Sequence, residues 1–462
     1  MRIPKDPFDR VIGQEEAVEF AKLAIKQHRH LLLVGPPGTG KSMIARAMAS
    51  KMGKPKTEIA VAHNPKNPER PILLIRTKKQ IDAEKKEDKE PGKEISPSEA
   101  PVFVTERLGF RCKRCGAVSD PSLAICPFCG APKGKEQSPF DDLLPFPRKK
   151  IENKVTTSRI LPDGRQETVI YERRGKKLFM FTEQEYEAYK KRKEKKRIKV
   201  LVPLNRSTFV EATGASESEL LGDVRHDPYG GHPEIGVPPY LRVVPGAVHE
   251  AHEGVLYIDE LGTLGPLQRY LLTAMQEKKF PIVGRNSTST GAIVRVDNVP
   301  CDFIFVGAVN INELDTIIPP LRSRIRGAGY EVLMEPVMDD TEKNRKKFVQ
   351  FIAQEIRMDG KIPHANEDAV ERLIEEARRW AKLIDEREGL TLRLRGMSGI
   401  IKLAGDFAIQ EGSKVIDKEH VEKAIRFGRP IEEKIREVYG SGWKAMFADF
   451  ALKHQKSSDM HF

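Results

Sequence analysis

Eight consecutive residues near the N-terminus have the types and the spacing of a phosphate-binding loop. They are Gly35, Pro36, Pro37, Gly38, Thr39, Gly40, Lys41 and Ser42. Glycines allow backbone N–H groups to turn inward around phosphates without a clash at Cβ. In such a loop the lysine reaches the β- and γ-phosphates of a nucleotide and the serine hydroxyl ligates Mg²⁺. The loop therefore predicts a site for a nucleoside triphosphate and Mg²⁺ around Lys41 and Ser42.

Two neighbouring carboxylates supply the second part of the predicted site. Asp259 and Glu260 follow the apolar run 254–258, which is typical of a buried parallel strand. We expect Asp259 to hold Mg²⁺ through water and Glu260 to polarise the water that attacks the γ-phosphate. A further buried strand, 303–308, precedes Asn310. Asn310 would lie near the γ-phosphate if that strand is beside the strand that leads into the loop.

The residues around the loop predict the elements that position it. The apolar run 31–34 indicates a strand, and residues 43–52 have helical spacing, so the loop connects a strand to a helix N-terminus. Residues 15–27 predict an earlier helix with one buried stripe. Ile12 precedes that helix, and a segment in this position often packs on the nucleotide base. The same residues also fit an ordinary core element.

Four of the five cysteines form two closely spaced pairs. Cys112 and Cys115 make one C-x-x-C pair and Cys126 and Cys129 make the other, each followed by glycine. Four thiolates on two tight turns offer a tetrahedral, closed site that suits a structural Zn²⁺. A redox pair or disulfides are the alternatives. A zinc ribbon of this kind binds proteins or nucleic acid, and the sequence leaves both open.

Composition and charge place limits on the class of protein. Of the 462 residues, 32% are charged and 39% are hydrophobic, which is typical of a globular protein. We find no apolar run long enough to cross a bilayer and no secretory signal at Met1, so we expect a cytoplasmic protein without a membrane partner. The net charge is +12, with a basic run at 190–199. That run fits a solvated helix face as well as a nucleic-acid patch.

The chain is predicted to have an α/β core interrupted by an insertion and followed by a small helical domain. Residues 54–199 are rich in Pro, Lys and Glu, whereas four helical patterns follow residue 339. The predicted parts are residues 1–75, the first part of the core with the phosphate-binding loop; 76–204, an insertion with a zinc ribbon at about 108–133, a hairpin and a basic helix; 205–337, the second part of the core; 338–430, a helical lid; and 431–462, a tail.

Taken together, these motifs resemble those of an AAA+ ATPase, a parallel sheet between helices with a helical lid. Longer runs are similar to the ATPase module of the archaeal B-type Lon proteases, and the likeness covers residues 8–75 and 205–430. The runs that carry it are Glu211–Ala215, Leu221–Pro228, Val244–Gly246, Thr273–Ile282 and Leu321–Gly327.

The resemblance implies roles for further residues. Asn310 would be sensor 1, and Arg324 would be the arginine finger that acts on a neighbouring subunit's ATP, with Arg322 and Arg326 as competitors. Arg395 would be the sensor 2 arginine of the lid, with Arg393 as the alternative. The loop 222–240 would face the central pore of a hexameric ring, where Tyr229 or Tyr240 would grip an unfolded chain.

Two departures from the family shape the functional expectation. The insertion carries a zinc ribbon where the membrane-bound family has transmembrane helices. The Ser-Lys protease domain would need roughly 200 residues after the lid, a domain-sized block, and residues 430–462 are too few. We therefore expect a ring-forming ATPase that remodels, unfolds or translocates protein substrates, without peptidase activity of its own and perhaps with a separate protease. The alternatives are a nucleic-acid-directed AAA+ ATPase and the ATPase part of a complete Lon protease.

Overall fold

The computed structural model describes residues 3–87, 92–133, 152–160, 164–195, 197–226, 236–284 and 294–428. Contacts divide the chain into two compact units, Met1–Lys56 with Leu201–Phe462, and Thr57–Val200. No helix among the described residues is both long and apolar enough to cross a membrane.

The helices and strands follow one another along the chain without long gaps in the described ranges. The α-helices are α1 Glu15–Gln27, α2 Lys41–Lys51, α3 Lys78–Glu87, α4 Val102–Arg107, α5 Glu183–Lys195, α6 Glu217–Leu221, α7 Pro239–Arg242, α8 Ala247–Glu250, α9 Gln268–Glu277, α10 Pro319–Ala328, α11 Glu342–Asp359, α12 Glu367–Ile384, α13 Leu394–Gln410 and α14 Lys418–Phe427. The strands are β1 His30–Val34, β2 Thr57–Ala62, β3 Ile72–Thr77, β4 Lys93–Ile95, β5 Lys154–Ile160, β6 Gln166–Arg174, β7 Lys177–Thr182, β8 Ile198–Val202, β9 Phe209–Glu211, β10 Asp223–Val224, β11 Val243–Val244, β12 Val255–Ile258, β13 Lys279–Val283, β14 Arg295–Pro300, β15 Ile304–Val309, β16 Gly329–Leu333, β17 Val337–Met338, β18 His364–Ala365, β19 Leu390–Thr391 and β20 Val415–Ile416.

The first unit is built on a five-stranded parallel sheet in the order β16-β1-β15-β12-β9. Leu31 and Leu33 of β1 pack on one face with residues of α1 and α2, and Leu32 and Val34 pack on the other. Burial of both faces explains the continuous apolar runs that predicted these strands. Because β1, β15 and β12 are parallel neighbours, their carboxyl ends lie at one edge of the sheet, which confirms the predicted α/β core.

The last four helices form a bundle with its own apolar core. Phe348, Leu373 and Ile401 are among the buried residues of that core. The Thr341, Asn366 and Asp417 side chains accept hydrogen bonds from backbone N–H groups at the starts of α11, α12 and α14. Such capping satisfies N–H groups that the helix itself leaves without partners. All four predicted helices are confirmed, and the predicted helix in the tail, 431–439, lies outside the described residues.

The second unit holds a three-stranded sheet, β3-β2-β8, and a four-stranded antiparallel sheet, β4-β7-β6-β5. The β5–β6 pairing, with Ile160 opposite Gln166, confirms the predicted hairpin. The unit begins at Thr57, whereas the sequence placed residues up to 75 in the core. The physical reason is that β2 pairs antiparallel with β3 along its whole length, so residues 57–77 form a hairpin of their own instead of joining the parallel sheet.

A candidate nucleotide site and a candidate metal centre

The predicted phosphate-binding loop follows β1 and ends where α2 begins. Gly38 and Gly40 have φ values of 82° and 94°, a left-handed conformation that L side chains rarely adopt. A Cβ on Gly38 would lie 2.8 Å from the Cβ of Arg395. The loop therefore requires glycine at these two positions, and it delivers its backbone N–H groups to the N-terminus of an 11-residue helix.

Lys41 lies across the inside of this loop. Its Nζ donates hydrogen bonds to the carbonyl oxygens of Gly35 and Pro36, at 2.7 and 3.0 Å, and the side chain is 6% exposed. Burial lowers the pKa of Lys41, and the Asp259 carboxylate opposes that shift. A buried ammonium with flexible partners is well placed to exchange carbonyl oxygens for phosphate oxygens.

A cavity of about 530 Å³ brings the predicted residues together from distant parts of the sequence. Of the predicted site residues, it is lined by Ile12, Pro37, Gly38, Thr39, Gly40, Lys41, Ser42, Asp259, Glu260, Asn310 and Arg395. Gly35 and Pro36 lie outside the lining but accept the hydrogen bonds of Lys41. Arg324 lies elsewhere on the surface of this unit and does not line the cavity.

The acid pair is held in a strained turn at the end of β12. The backbone N–H of Asp259 donates to the hydroxyl of Thr213 at 2.9 Å, and the N–H of Glu260 donates to Asp259 Oδ1 at 3.1 Å. Glu260 has a φ of 49°, a left-handed conformation that costs a non-glycine residue on the order of 1–2 kcal/mol. Strain of this kind is concentrated at functional turns.

Asn310 lies at the end of β15, the strand between β1 and β12. Its Nδ2 donates to Glu313 Oε1 at 3.1 Å, and its backbone N–H donates to Glu313 Oε2 at 3.4 Å. The short 3₁₀ helix Ile311–Thr316 starts from this contact. Glu313 thus orients the Asn310 amide beside the cavity, a partner that the sequence analysis did not identify.

The structure separates the two arginines of the lid that competed for one role. Arg393 forms a two-pronged ion pair with Asp385, with Nη2 2.6 Å from Oδ1 and Nε 3.1 Å from Oδ2. Arg395 is exposed and lines the cavity. The sequence alone left this choice open because it depends on where Asp385 lies in the fold.

The three arginines of α10 also differ in their partners. Arg322 Nη2 lies 2.5 Å from Glu331 Oε1, and Arg326 Nε lies 3.5 Å from Glu331 Oε2. Arg324 is exposed and forms no ion pair with a described residue. It is therefore the arginine of this helix with the fewest internal restraints.

Several cavity residues were missed by the sequence analysis. Glu355 of α11 is 8% exposed, lines the cavity and accepts a hydrogen bond from Ser398 of α13, and Lys402 Nζ is 3.7 Å from its Oε2. Arg46 of α2 also lines the cavity and pairs with Glu211 at 3.0 Å. No motif marks these residues, since their roles arise from contacts between elements distant in the sequence.

The predicted pore tyrosines have different outcomes. Tyr240 lies in α7 and is 8% exposed, so the structure does not present it on the surface. Its ring is buried because the segment around it folds back onto the core, with β11 paired to β10. Tyr229 lies outside the described residues, as do the side chains of residues 190–196 in the predicted basic run.

The four predicted cysteine ligands converge in the second unit. Their sulfur atoms all lie within 4.8 Å of one another, with Cys112 to Cys129 at 3.7 Å and Cys115 to Cys126 at 3.6 Å. A tetrahedral Zn²⁺ with bonds of about 2.3 Å would have sulfur atoms about 3.8 Å apart. Hydrogen bonds from the backbone of Cys115 and Arg114 lower the pKa of the Cys112 thiol to about 6, which favours the thiolate that a metal requires. The set therefore fits a metal such as zinc.

The two cysteine turns share one backbone design. Gly116 and Gly130 have φ values of 71° and 69°, and their N–H groups donate to the carbonyls of Cys112 and Cys126 at 2.9 and 3.0 Å. Each turn is closed by the same pattern of bonds, which is the structure of a zinc ribbon.

The fold and the site define an AAA+ ATPase, and comparisons with known proteins identify its family. Family models match a magnesium chelatase subunit ChlI at residues 7–65, a sigma-54 interaction domain at 241–297 and the archaeal LonB AAA+ ATPase lid domain at 364–429. Lon protease homologues of Thermoplasma volcanium and Methanothermobacter thermautotrophicus are 55% and 50% identical, over 96% and 99% of this chain and 91% and 94% of theirs. The chain therefore belongs to the family of archaeal Lon homologues, as predicted.

Longer relatives share only part of their length with this chain. The archaeal Lon protease of Thermococcus kodakarensis is 40% identical over 95% of this chain and 61% of its own length. Among solved structures, NtrX of Brucella abortus in complex with ATP covers 97% of this chain and 67% of its own, with a TM-score of 0.38 and 13% identity. A score of that size supports no argument about function.

Proposed function

We propose that this chain is an ATP-hydrolysing, Lon-like motor that works in a homo-oligomeric ring and unfolds or translocates protein substrates. The observation that carries the proposal is the cavity in which Lys41 and Ser42, Asp259 and Glu260, Asn310, and Arg395 meet from four separate segments. Each of these groups has a defined part in hydrolysing the γ-phosphate of a nucleotide.

The residues of the cavity divide the work of hydrolysis. Lys41 and the loop N–H groups hold the phosphates, and Ser42 with Asp259 would hold Mg²⁺, which neutralises charge on the phosphate oxygens. Glu260 polarises the attacking water, and Asn310 orients that water or the γ-phosphate. Ile12, which is 3% exposed and lines the cavity, packs against the base. Arg395 brings a positive charge from the lid, so that nucleotide binding draws the lid toward the sheet.

A neighbouring subunit supplies the remaining charge in this proposal. Arg324 is exposed and does not line the cavity of its own chain, whereas Arg322 and Arg326 are paired with Glu331. Arg324 as the finger would stabilise charge on the transferred phosphoryl group of the next subunit. In this scheme a single isolated subunit hydrolyses ATP slowly, and assembly activates it.

Two further elements complete the proposal. The four cysteines hold a structural Zn²⁺ that folds the ribbon, which serves as a contact for a substrate or a partner protein. The protein substrate and a separate protease partner are inferred from the Lon family, in which ATP hydrolysis accompanies proteolysis. Nucleic acid is the alternative partner of the ribbon and the basic run, and its binding would weaken steeply with salt.

The decisive experiment measures ATP hydrolysis and ATP binding in the same variants. Lys41→Ala should lose both, whereas Glu260→Gln should bind MgATP and hydrolyse it about 100-fold more slowly, a typical loss for a missing general base. Parental rates in both variants would refute the site assignment. Degradation of casein, measured in the same reactions, tests whether remodelling is coupled to peptide-bond cleavage.

The ring and its finger are tested by mixing subunits. Arg324→Ala and Glu260→Gln chains are each expected to be inactive alone, but a mixture should regain activity where an intact Arg324 faces an intact Glu260. Arg322→Ala is the matched control from the same helix. If the mixture stays inactive while Arg322→Ala behaves as Arg324→Ala is expected to, the finger is assigned wrongly.

A further inference from the structure

Gln268, the first residue of α9, is fully buried at 0% exposure and has no part in the mechanism above. Its Nε2 donates to the carbonyl of Thr316 at 3.0 Å, and its Oε1 accepts from the backbone N–H of Ile318 at 2.9 Å. Nε2 also lies 3.5 Å from the carbonyl of Leu261. Both ends of the amide are therefore engaged with backbone groups.

The orientation of this amide follows from its partners. Thr316 and Leu261 present carbonyl oxygens, which only accept, and the Ile318 N–H only donates. A flipped amide would oppose two acceptors with an oxygen and a donor with a donor. The side chain thus has one arrangement that satisfies all its groups.

The three partners belong to three parts of the predicted hydrolytic machinery. Leu261 directly follows Glu260 in the sequence. Thr316 ends the 3₁₀ helix that starts at Asn310, and Ile318 is the residue before α10, the helix that carries Arg324. One buried amide therefore joins the water-polarising turn, the sensor segment and the arginine helix.

Close packing makes this junction rigid. A Cβ on Gly262 would lie 2.1 Å from Thr316 Oγ1, so the turn after Glu260 is in direct contact with the sensor segment. Thr316 Oγ1 donates to the Glu313 carbonyl at 2.5 Å, and the Glu313 side chain in turn accepts from the Asn310 amide. Displacement of Thr316 would therefore be transmitted to Asn310.

We infer that Gln268 is a positioning residue for hydrolysis, which sets the Glu260 turn, the Asn310 segment and the arginine helix in register with one another. The inference rests on the proposed function, because loss of this register lowers turnover only if these groups act on ATP. Gln268 touches neither the nucleotide cavity nor the predicted finger, so its effect should fall on turnover and leave nucleotide binding intact.

The first test replaces the amide by an apolar side chain of similar length. Gln268→Met removes both hydrogen bonds and should lower kcat by roughly 10- to 100-fold, the range seen when catalytic groups are displaced by about 1 Å. The dissociation constant for a fluorescent ATP analogue should change by less than about twofold, because the phosphate-binding loop is untouched.

Gln14→Met is the matched control for lost stability. Gln14 is 3% exposed and makes the same pair of bonds, from Nε2 to the Glu335 carbonyl at 2.8 Å and to Oε1 from the Glu335 N–H at 3.0 Å. It should lower Tm comparably without the fall in kcat. Equal falls in kcat for the two variants at equal loss of Tm would overturn the inference.

A pH profile separates positioning from bulk. Gln268→Glu places a buried carboxyl group opposite the Thr316 carbonyl, where only the protonated acid can donate, and burial raises the pKa of such a group. Its kcat relative to the parent should rise as the pH falls from about 8 to about 6, whereas the ratio for Gln268→Met should stay flat. Flat ratios for both variants would overturn the inference.

Hydrogen exchange gives a readout that needs no hydrolysis. In Gln268→Met, peptides that cover 311–328 should exchange faster than in the parent and in Gln14→Met. A parent chain that hydrolyses no ATP, with this exchange difference intact, would refute the proposed function alone. Unchanged exchange in an active parent would refute the role of Gln268 alone.

Discussion

The backbone N–H of Leu394 donates a hydrogen bond to the carbonyl oxygen of Gly38 at 3.0 Å. This bond ties the first residue of α13, in the lid, to the middle of the phosphate-binding loop. The next residue, Arg395, lies so close to Gly38 that no side chain fits between them. Occupation of the loop and the position of the lid are therefore expected to be coupled.

Gly38→Ala and Gly40→Ala form a matched pair that tests this coupling. Both positions have a left-handed backbone, so both alanines cost on the order of 1–2 kcal/mol in loop conformation. The added Cβ at Gly38 would also meet Arg395 at 2.8 Å, whereas nothing lies within 4 Å of one at Gly40. Gly38→Ala should therefore weaken MgATP binding more than Gly40→Ala. Equal dissociation constants for the two variants would contradict the coupling.

The two lid arginines are expected to fail in different ways. Arg395→Ala removes a charge from the cavity and should lower ATPase activity by roughly 10-fold with little change in Tm. Arg393→Ala leaves the nearly buried Asp385 carboxylate without its partner and should destabilise the lid by about 2 kcal/mol. Activity assays and thermal melts on both variants distinguish these outcomes. A large activity loss in Arg393→Ala without a change in Tm would reverse the assignment.

The cysteine cluster predicts a metal content that can be measured directly. Purified protein should carry about one zinc per chain, and Cys112→Ser should lose it because a closed four-sulfur site needs every ligand. Limited proteolysis should then cut within 110–133. ATP hydrolysis should persist, since the residues that line the nucleotide cavity belong to the other compact unit. Full zinc content in Cys112→Ser, or in protein purified with a chelator, would argue against the site.

His249 predicts how stability depends on pH. Its Nδ1 accepts from the Gly246 N–H and its Nε2 contacts the Phe280 carbonyl, and complete burial lowers its pKa to about 4. An unfolded histidine titrates near pH 6.5, so below that pH the unfolded chain binds more protons than the folded chain. The free energy of unfolding should therefore fall as the pH drops from about 6.5 to about 4, by about 3 kcal/mol from this group.

His249→Gln is the variant that isolates this contribution. It removes the titrating ring, so its free energy of unfolding should depend less steeply on pH over the same interval, whatever its absolute stability. Chemical denaturation at several pH values measures both slopes. His30, whose pKa burial also lowers to about 4, remains in the variant and accounts for part of the residual slope. Identical slopes for parent and variant would refute the prediction.

The sequence by itself determined the parts of this protein that depend on local geometry. The loop that ends in Lys41 and Ser42, the Asp259–Glu260 pair and the two C-x-x-C turns each place their groups through a few adjacent residues, so spacing alone specifies the chemistry. The parallel core was likewise predictable, because strands buried on both faces need uninterrupted apolar runs.

Only the tertiary structure decided between groups of the same type and between neighbouring boundaries. Arg393 and Arg395 are two residues apart, and it is Asp385 that engages the first and leaves the second at the cavity. The second unit starts at Thr57 because β2 finds its partner in β3. Gln268 carries no sequence signal, since its role depends on backbone groups from 261 to 318 that folding brings within reach of one side chain. Such contacts join residues far apart in the chain, and their energies depend on positions that local propensity does not encode.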